Sequence, residues 1–343
     1  MPSLHSGYPP YIPIIKWQKA EQTALVAIDA EDLVEHVWPC IEVRGTTHPQ
    51  LLMSQVYHYW KGTVLVDYAD PSGRLVGRRM GVFESFLELA GSKSYPIIPV
   101  IDSRDALELS AKLQQLLSTF DSVVVRLRLE GLALTQSHFN QVAEVCKTLH
   151  QLDVSPRLMV DLGECPDEWT PAQLSSFVAV LRDMKGCEFS TIHLASGAVP
   201  ESLSDVSAMA ECPRSDWKLW EATNAIAPDL QLGFSDYGIL SPKWTEEILK
   251  KIAKKVALRY TRAKDWLILK AAGKRKQDSI DLSVILVTQY SKDFMGPKFS
   301  LGDRLIATRA DATVPDREKK GGASSHLTEA WIHHIAYVVK EQY

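Results

Sequence analysis

Eight short apolar runs recur along the chain, and each meets a polar residue before a stretch of helical spacing begins. The first four are "YIPIIKW" ending at Lys16, "WPCIEVRG" with Glu42 and Arg44, "TVLVDYAD" with Asp67 and Asp70, and "YPIIPVID" ending at Asp102. The next four are "SVVVRLRLEG" with Arg126 and Arg128, "RLMVDLGE" with Asp161 and Glu164, "FSTIHLASG" with His193 and Ser196, and "LQLGFSDYG" with Asp236. Continuous runs rich in Val and Ile suit parallel strands buried on both faces. Between them the period changes. Residues 103–120 place Leu107, Leu113, Leu116 and Leu117 near one helical face, and a further helix is expected to start at Ser137. Residues 170–186 carry Thr170 as an N-cap, Pro171 in the first turn and Gly186 as a stop. Successive polar strand ends lie 24 to 43 residues apart, and a βα unit needs about 30. Eight such units predict an α/β fold, a (β/α)8 TIM-like barrel. An open doubly wound sheet is the competing arrangement, but no GxGxxG turn accompanies it.

After Asp236 the pattern changes. Gly238 is placed for a sharp turn out of the eighth strand. Residues 241–257 read as a basic amphipathic helix, "LRYTRAKDWLILKAAG" as a hairpin and "DLSVILVTQYSKDF" as a helix. Residues 295–325 form a long glycine- and charge-rich stretch, and "HLTEAWIHHIAYVVKEQ" is a helix placed to close the ring. The expected organisation is a barrel of 1–238 and 326–343, with 239–325 inserted after strand eight. Such an insertion would lie over the C-terminal mouth, where barrel active sites are built.

The strand ends carry the candidate chemistry. Lys16, Glu42, Asp67, Asp102, Arg126, Asp161, His193 and Asp236 would meet at that mouth as one polar ring. The carboxylates offer hard oxygen ligands, so a divalent metal is the expected cofactor if one is used. His193 suits an acid, base or ligand role. Lys16 and Arg126 suit a phosphate or carboxylate. A specific pair, Asp236 with Lys16, follows from strand eight lying beside strand one. The plain alternative is a self-neutralising network that caps the core, which requires Arg44 and Arg128 to point inward as well. The loop holding Arg74, Arg78 and Arg79 and the run Lys270, Lys274, Arg275, Lys276 read as solvated. His333 and His334 are adjacent on a helix, point apart and make no metal pair.

Composition narrows this picture without naming a reaction. The 343 residues carry 38 Lys and Arg against 42 Asp and Glu, so nothing pulls the chain toward nucleic acid. Five scattered cysteines contain no CxxC pair and read as reduced thiols. No signal peptide pattern opens the chain and no apolar run approaches the ~18 residues of a membrane span. A cytoplasmic protein without a membrane partner is expected.

The order of "YIPIIKW", "PCIEVRG", "GFSDYGI", "ALRYTRAKDWLILK" and "FMGPKFSLGD" resembles the Beta protein family, named after a protein of a T-even bacteriophage and found through bacterial genomes. The likeness runs from about residue 11 to the C-terminal helix. It implies a bacterial or phage protein with a place in phage–host conflict, and it supplies no mechanism. Its shared positions are Lys16, Glu42, Asp236, Tyr237, Arg259, Tyr260, Ser300, Gly302 and Asp303. Two functions are then expected. One is a hydrolase of phosphodiester type, with Asp67, Asp161, His193 and Asp236 catalytic. Its small polar or phosphorylated ligand would be held by Lys16, Glu42, Asp102, Arg126, Tyr237, Arg259, Ser300 and Asp303. The other is a non-catalytic sensor whose 239–325 insertion binds a phage or host protein.

Overall fold

The computed structural model describes residues 8–29, 33–45, 47–93, 95–243 and 255–343. All eight apolar runs are barrel strands. They are β1 (Ile12–Ile15), β2 (Cys40–Glu42), β3 (Val64–Asp67), β4 (Ile97–Asp102), β5 (Ser122–Arg128), β6 (Ser155–Glu164), β7 (Ile192–Gly197) and β9 (Gly233–Asp236). They pair in parallel in chain order, and β9 closes on β1 through Ile12 opposite Ser235. The strand the patterning missed is β8 (Met209–Pro213), within the β7–β9 connection. Its residues alternate between exposed and half-buried, so it carries no apolar run. It leaves the barrel and pairs with a hairpin of β10 (Ala257–Thr261) and β11 (Asp265–Lys270).

Side chains on a strand point alternately to its two faces. Inside the barrel, Ile12, Ile14, Cys40, Leu65, Val100, Val124 and Met159 fill a narrow core. The other parity, including Ile15, Val66, Val125 and Phe234, joins the larger core between barrel and helices. That layer includes α1 (Lys19–Asp29), α2 (Pro49–Tyr59), α3 (Arg78–Gly91), α6 (Gln136–Gln151), α7 (Pro171–Lys185) and α8 (Ser215–Ile226). Thr170 caps α7 by accepting from the Gln173 amide, and Gly186 ends it. The single helix expected over 103–120 is two, α4 (Ser103–Ala106) and α5 (Ala111–Leu117). Each has its own cap: Asp102 accepts from the Arg104 amide, and Ser110 accepts from Leu113.

The hairpin forms where the pattern placed it, and the helix expected over 281–294 is α9 (Lys276–Gln289), which starts and ends five residues earlier. The glycine-rich stretch 295–325 contains an unexpected helix, α10 (Leu301–Ala310). Ser300 caps it by accepting from the Asp303 amide. Gly302 permits its close approach to α11 (Ala323–Tyr337), because a Cβ there would lie 2.5 Å from the Glu329 carbonyl oxygen. Helix α11 packs on α1 and completes the ring. A separate small core joins Leu258, Tyr260, Leu267 and Leu269 to Leu282, Leu286 and Ile306. Of the basic helix expected over 241–257, residues 244–254 lie outside the described residues, and Ala257 opens β10. No helix among the described residues is long and apolar enough to cross a membrane.

Candidate functional site at the barrel mouth

Strand register brings five polar strand ends together. Glu42 lies opposite Asp67, Asp102 opposite Arg126, and Arg128 opposite Asp161. Arg126 and Arg128 are two residues apart on β5, so both point into the barrel. The Arg126 guanidinium is wholly buried. Its Nε donates to Asp161 Oδ2 at 2.9 Å, and one terminal nitrogen donates to Asp67 Oδ2 at 2.7 Å. The other terminal nitrogen donates to Glu42 Oε1 at 2.9 Å and to the Tyr237 hydroxyl at 2.8 Å. Tyr237 in turn donates to Asp161 Oδ2 at 2.8 Å. Arg128 bridges Asp67 and Asp102 at 2.8 and 2.9 Å, and Arg104 reaches Asp102 from the side at 2.7 Å. The inward Arg128 required for a neutralising network is therefore present.

The four carboxylates Glu42, Asp67, Asp102 and Asp161 are not equivalent. Asp67 Oδ1 accepts from the Ala69 amide, Asp161 Oδ1 from Gly163, and Asp102 Oδ1 from Arg104. Asp67, Asp102 and Asp161 thus have both oxygens hydrogen-bonded. Glu42 Oε2 is buried and has no hydrogen-bond partner among the described residues. Burial pushes the Glu42 carboxyl above its ordinary range, against the pull of Arg126. Burial would also raise Asp67, but Arg128 and Arg126 outweigh it and hold Asp67 low. Burial raises Tyr237 well above its ordinary value.

Beside this cluster an open cleft of about 760 Å³ reaches solvent. Glu42, Asp161 and Tyr237 form its inner wall, and Glu130, Glu164 and Glu201 stand on its rim. Lys16 sits at the edge as expected, yet its Nζ donates to the carbonyls of Ser241 and Lys243 at 2.5 and 2.8 Å. Burial lowers its ammonium to about 8. Lys16 thus anchors the chain leaving β9, and Pro242 and Lys243 of that segment join the cleft wall.

Two expected mouth residues lie elsewhere. His193 points inward, but it pairs with Met159, whereas Asp161 pairs with Ala195. It is therefore two residues, about 7 Å, below the Asp161 layer. Its Nε2 meets the Pro10 carbonyl oxygen at 3.0 Å, and burial lowers its pKa to about 4. Asp236 does not pair with Lys16. Tyr237 points into the barrel, so Asp236 beside it points out to the helix layer. There it accepts from the Tyr11 hydroxyl at 2.6 Å and meets His334 Nε2 at 2.9 Å. Arg214 lies 3.9 Å away.

The sequence profile described as Beta protein matches residues 11–340. The chain belongs to the Beta protein family. Comparison with curated protein sequences returns no match. Among solved structures, the aldolase QR15 is similar at 12% identity, covering 70% of this chain and 93% of that one, with a TM-score of 0.40. The arginine decarboxylase of Paramecium bursaria Chlorella virus is similar at 12% identity, covering 78% and 83%, with a TM-score of 0.39. A chitinase from Chromobacterium violaceum is similar at 12% identity, covering 82% and 91%, with a TM-score of 0.36. These are likenesses of fold alone.

The remaining positions taken from the family likeness do not line the cleft of this Beta-family barrel. Asp303 is fully buried and accepts from Tyr260 at 2.6 Å and Ser300 at 2.5 Å. It also meets His333 Nδ1 at 2.9 Å, and the His333 ring stacks on Tyr260 at 3.9 Å. The adjacent histidines do diverge, one to Asp303 and one to Asp236. Arg259 lies on β10, away from the cleft, and burial lowers it to about 10. Of the three arginines expected in a solvated loop, Arg78 and Arg79 instead open α3, and Arg79 is buried and donates to the Tyr68 carbonyl at 2.7 Å. Among the described residues, no group of three or more His, Cys, Asp and Glu side chains is arranged to hold a metal. The rim residues Glu130, Glu201 and Lys243 escaped the patterning because they follow the strands instead of ending them. The alternation of Arg126 and Arg128 was the available signal for the second inward arginine.

Proposed function

We propose that this Beta-family barrel binds a small polar molecule in the mouth cleft and exchanges a proton with it through Glu42. The observation that carries this reading is on Glu42, a residue of the wall of an open cleft: its buried Oε2 is the carboxylate oxygen of the inner cluster left without a partner among the described residues. A buried acceptor without a partner costs about 1–3 kcal/mol, and a ligand donor or acid proton there would recover it. Burial raises the Glu42 carboxyl above its ordinary range, the direction that makes a carboxylate a better proton acceptor. Asp161 and Tyr237 would orient the ligand from the same wall, while Arg126, enclosed by its partners, holds the wall in place. Asp67 and Asp102 then serve as supports whose oxygens are already engaged.

The test is a thermal-shift screen of small amines, alcohols, sugars, carboxylates and phosphate esters, repeated on Glu42→Gln and Tyr237→Phe. Compounds that raise the melting temperature of the wild type should lose that effect in both variants. If no compound stabilises the wild type, or if hits act equally on both folded variants, the mouth-site reading falls.

A further inference from the structure

The cleft is more strongly acidic than the inner cluster, where three arginines face four carboxylates. Six carboxylates line it, Glu42, Asp70, Glu130, Asp161, Glu164 and Glu201, against only two cations, Arg128 and Lys243. Both cations are already engaged. Arg128 bridges Asp67 and Asp102, and Lys243 pairs with Glu164 at 2.8 Å. Every nitrogen of the Arg126 guanidinium is already hydrogen-bonded, to Asp161, Asp67, Glu42 and Tyr237, so it offers a ligand no free donor direction. An entering anion would therefore find no free positive group among the described lining residues, and it would face a ring of acids. Glu130 and Glu201 are exposed and make no ion pair among the described residues. Like charges at a concave mouth raise the local concentration of the opposite ion. Beneath them waits Glu42 Oε2, buried and without a partner. A bare metal ion fits poorly, since no metal-holding group of side chains is formed among the described residues. An ammonium or guanidinium head needs less: one carboxylate acceptor and a negative surround.

Building on the mouth-site reading, we propose that the ligand of this cleft is a small organic cation, an amine or guanidinium whose head donates to Glu42 Oε2 while Glu130 and Glu201 steer it in. Cation binding favours the ionised form of Glu42. A proton held on the carboxyl by burial would be released as the ligand docks, and affinity would then rise with pH across that titration.

A matched series tests the head group while holding the tail constant: n-butylammonium, n-butylguanidinium, n-butanol, butyrate and n-butyl phosphate, with Mg²⁺ as a separate arm. Calorimetry should show the two cations binding roughly tenfold or more tighter than butanol, a difference of about 1.4 kcal/mol. Butyrate and butyl phosphate should not bind. Glu42→Gln should cost the cations roughly tenfold in affinity. Glu130→Gln with Glu201→Gln, both exposed and outside the inner cluster, should weaken binding and flatten its salt dependence even if Glu42→Gln folds poorly. Measurements in buffers of different ionisation enthalpy should reveal proton release on binding. Tighter binding of the alcohol, an anion or Mg²⁺ at the cleft overturns the cation class and leaves the mouth site standing. If neither this series nor the wider screen yields a ligand, both fall together.

Discussion

Two buried polar clusters flank β9, and they begin at adjacent residues. Tyr237 points inward to Arg126, Glu42 and Asp161, and Asp236 points outward to Tyr11, His334 and Arg214. Both clusters are dense in ionisable groups. Each leaves carboxylate oxygens without a hydrogen-bond partner among the described residues, Glu42 Oε2 in the inner one and both oxygens of Asp216 in the outer one, but the inner one borders an open cleft. The outer one lies beneath α8, α11 and the accessory hairpin, with Thr261 bonding His334 from β10 at 2.9 Å. There burial outweighs the attraction of Asp236 and lowers His334 below its ordinary value. Burial would raise Asp236, but His334, Arg214 and the Tyr11 hydroxyl hold it low. The outer cluster joins separate elements, whereas the inner one shapes a surface. A charged strand end is evidence of a site only when its parity turns it toward space that a ligand can enter.

The largest effect expected is at Arg126. Arg126→Leu leaves Glu42, Asp67 and Asp161 facing one another without their shared cation. Breaking a buried pair from one side typically costs about 3–5 kcal/mol. Urea denaturation should show at least that loss, or a chain that does not fold. A loss below about 1 kcal/mol would mean that water already screens these carboxylates, and the contrast between a rigid inner wall and an open cleft would fail.

Asp303→Asn should have the next largest effect. It removes the charged acceptor shared by Tyr260, Ser300 and His333 and should cost about 1–3 kcal/mol by denaturation. Binding of n-butylammonium at the mouth should be unchanged in the folded fraction. Loss of binding without loss of stability would make this network part of the site and break the comparison.

The smallest effect sharpens the outer cluster. Asp216 is buried near Arg214 and Asp236, and burial pushes its carboxyl from 3.8 up to about 7, with Arg214 opposing and Asp236 reinforcing the rise. Between those values the folded state holds a proton that the unfolded chain has lost. The contribution of Asp216 therefore favours the folded state below pH 4 and is lost as pH rises toward 7. Asp216→Asn should gain on the wild type as pH rises across that window, the sign of the change being the readout. Melting curves of both proteins at pH 4, 5.5, 7 and 8 check the sign. A difference that does not grow with pH would show that Asp216 is ionised throughout and paired with Arg214.

The eight barrel strands were legible because burial on both faces demands continuous apolar runs, as in "TVLVDYAD" and "SVVVRLRLEG". Strand β8 was not, because its residues are exposed or half-buried and only its partner β11 makes it a strand. Helix α10 escaped notice for a related reason. Its cap at Ser300 and its contact through Gly302 gain meaning only once α11 lies against it. Five of the eight strand-end residues, Glu42, Asp67, Asp102, Arg126 and Asp161, meet as the pattern implied. Lys16 reaches the rim but binds main-chain carbonyls.

The sequence by itself determined the element types, the closed eight-fold repeat and the presence of charge at the strand ends, because each depends on local periodicity. Tertiary structure decided the rest. His193 lies deep because its strand pairs two residues out of step with the expected layer. Asp236 faces outward because Tyr237 takes the inward position. Closure of the ring sets both register and parity, and only after closure does Glu42 line a cleft with one buried carboxylate oxygen left without a partner among the described residues.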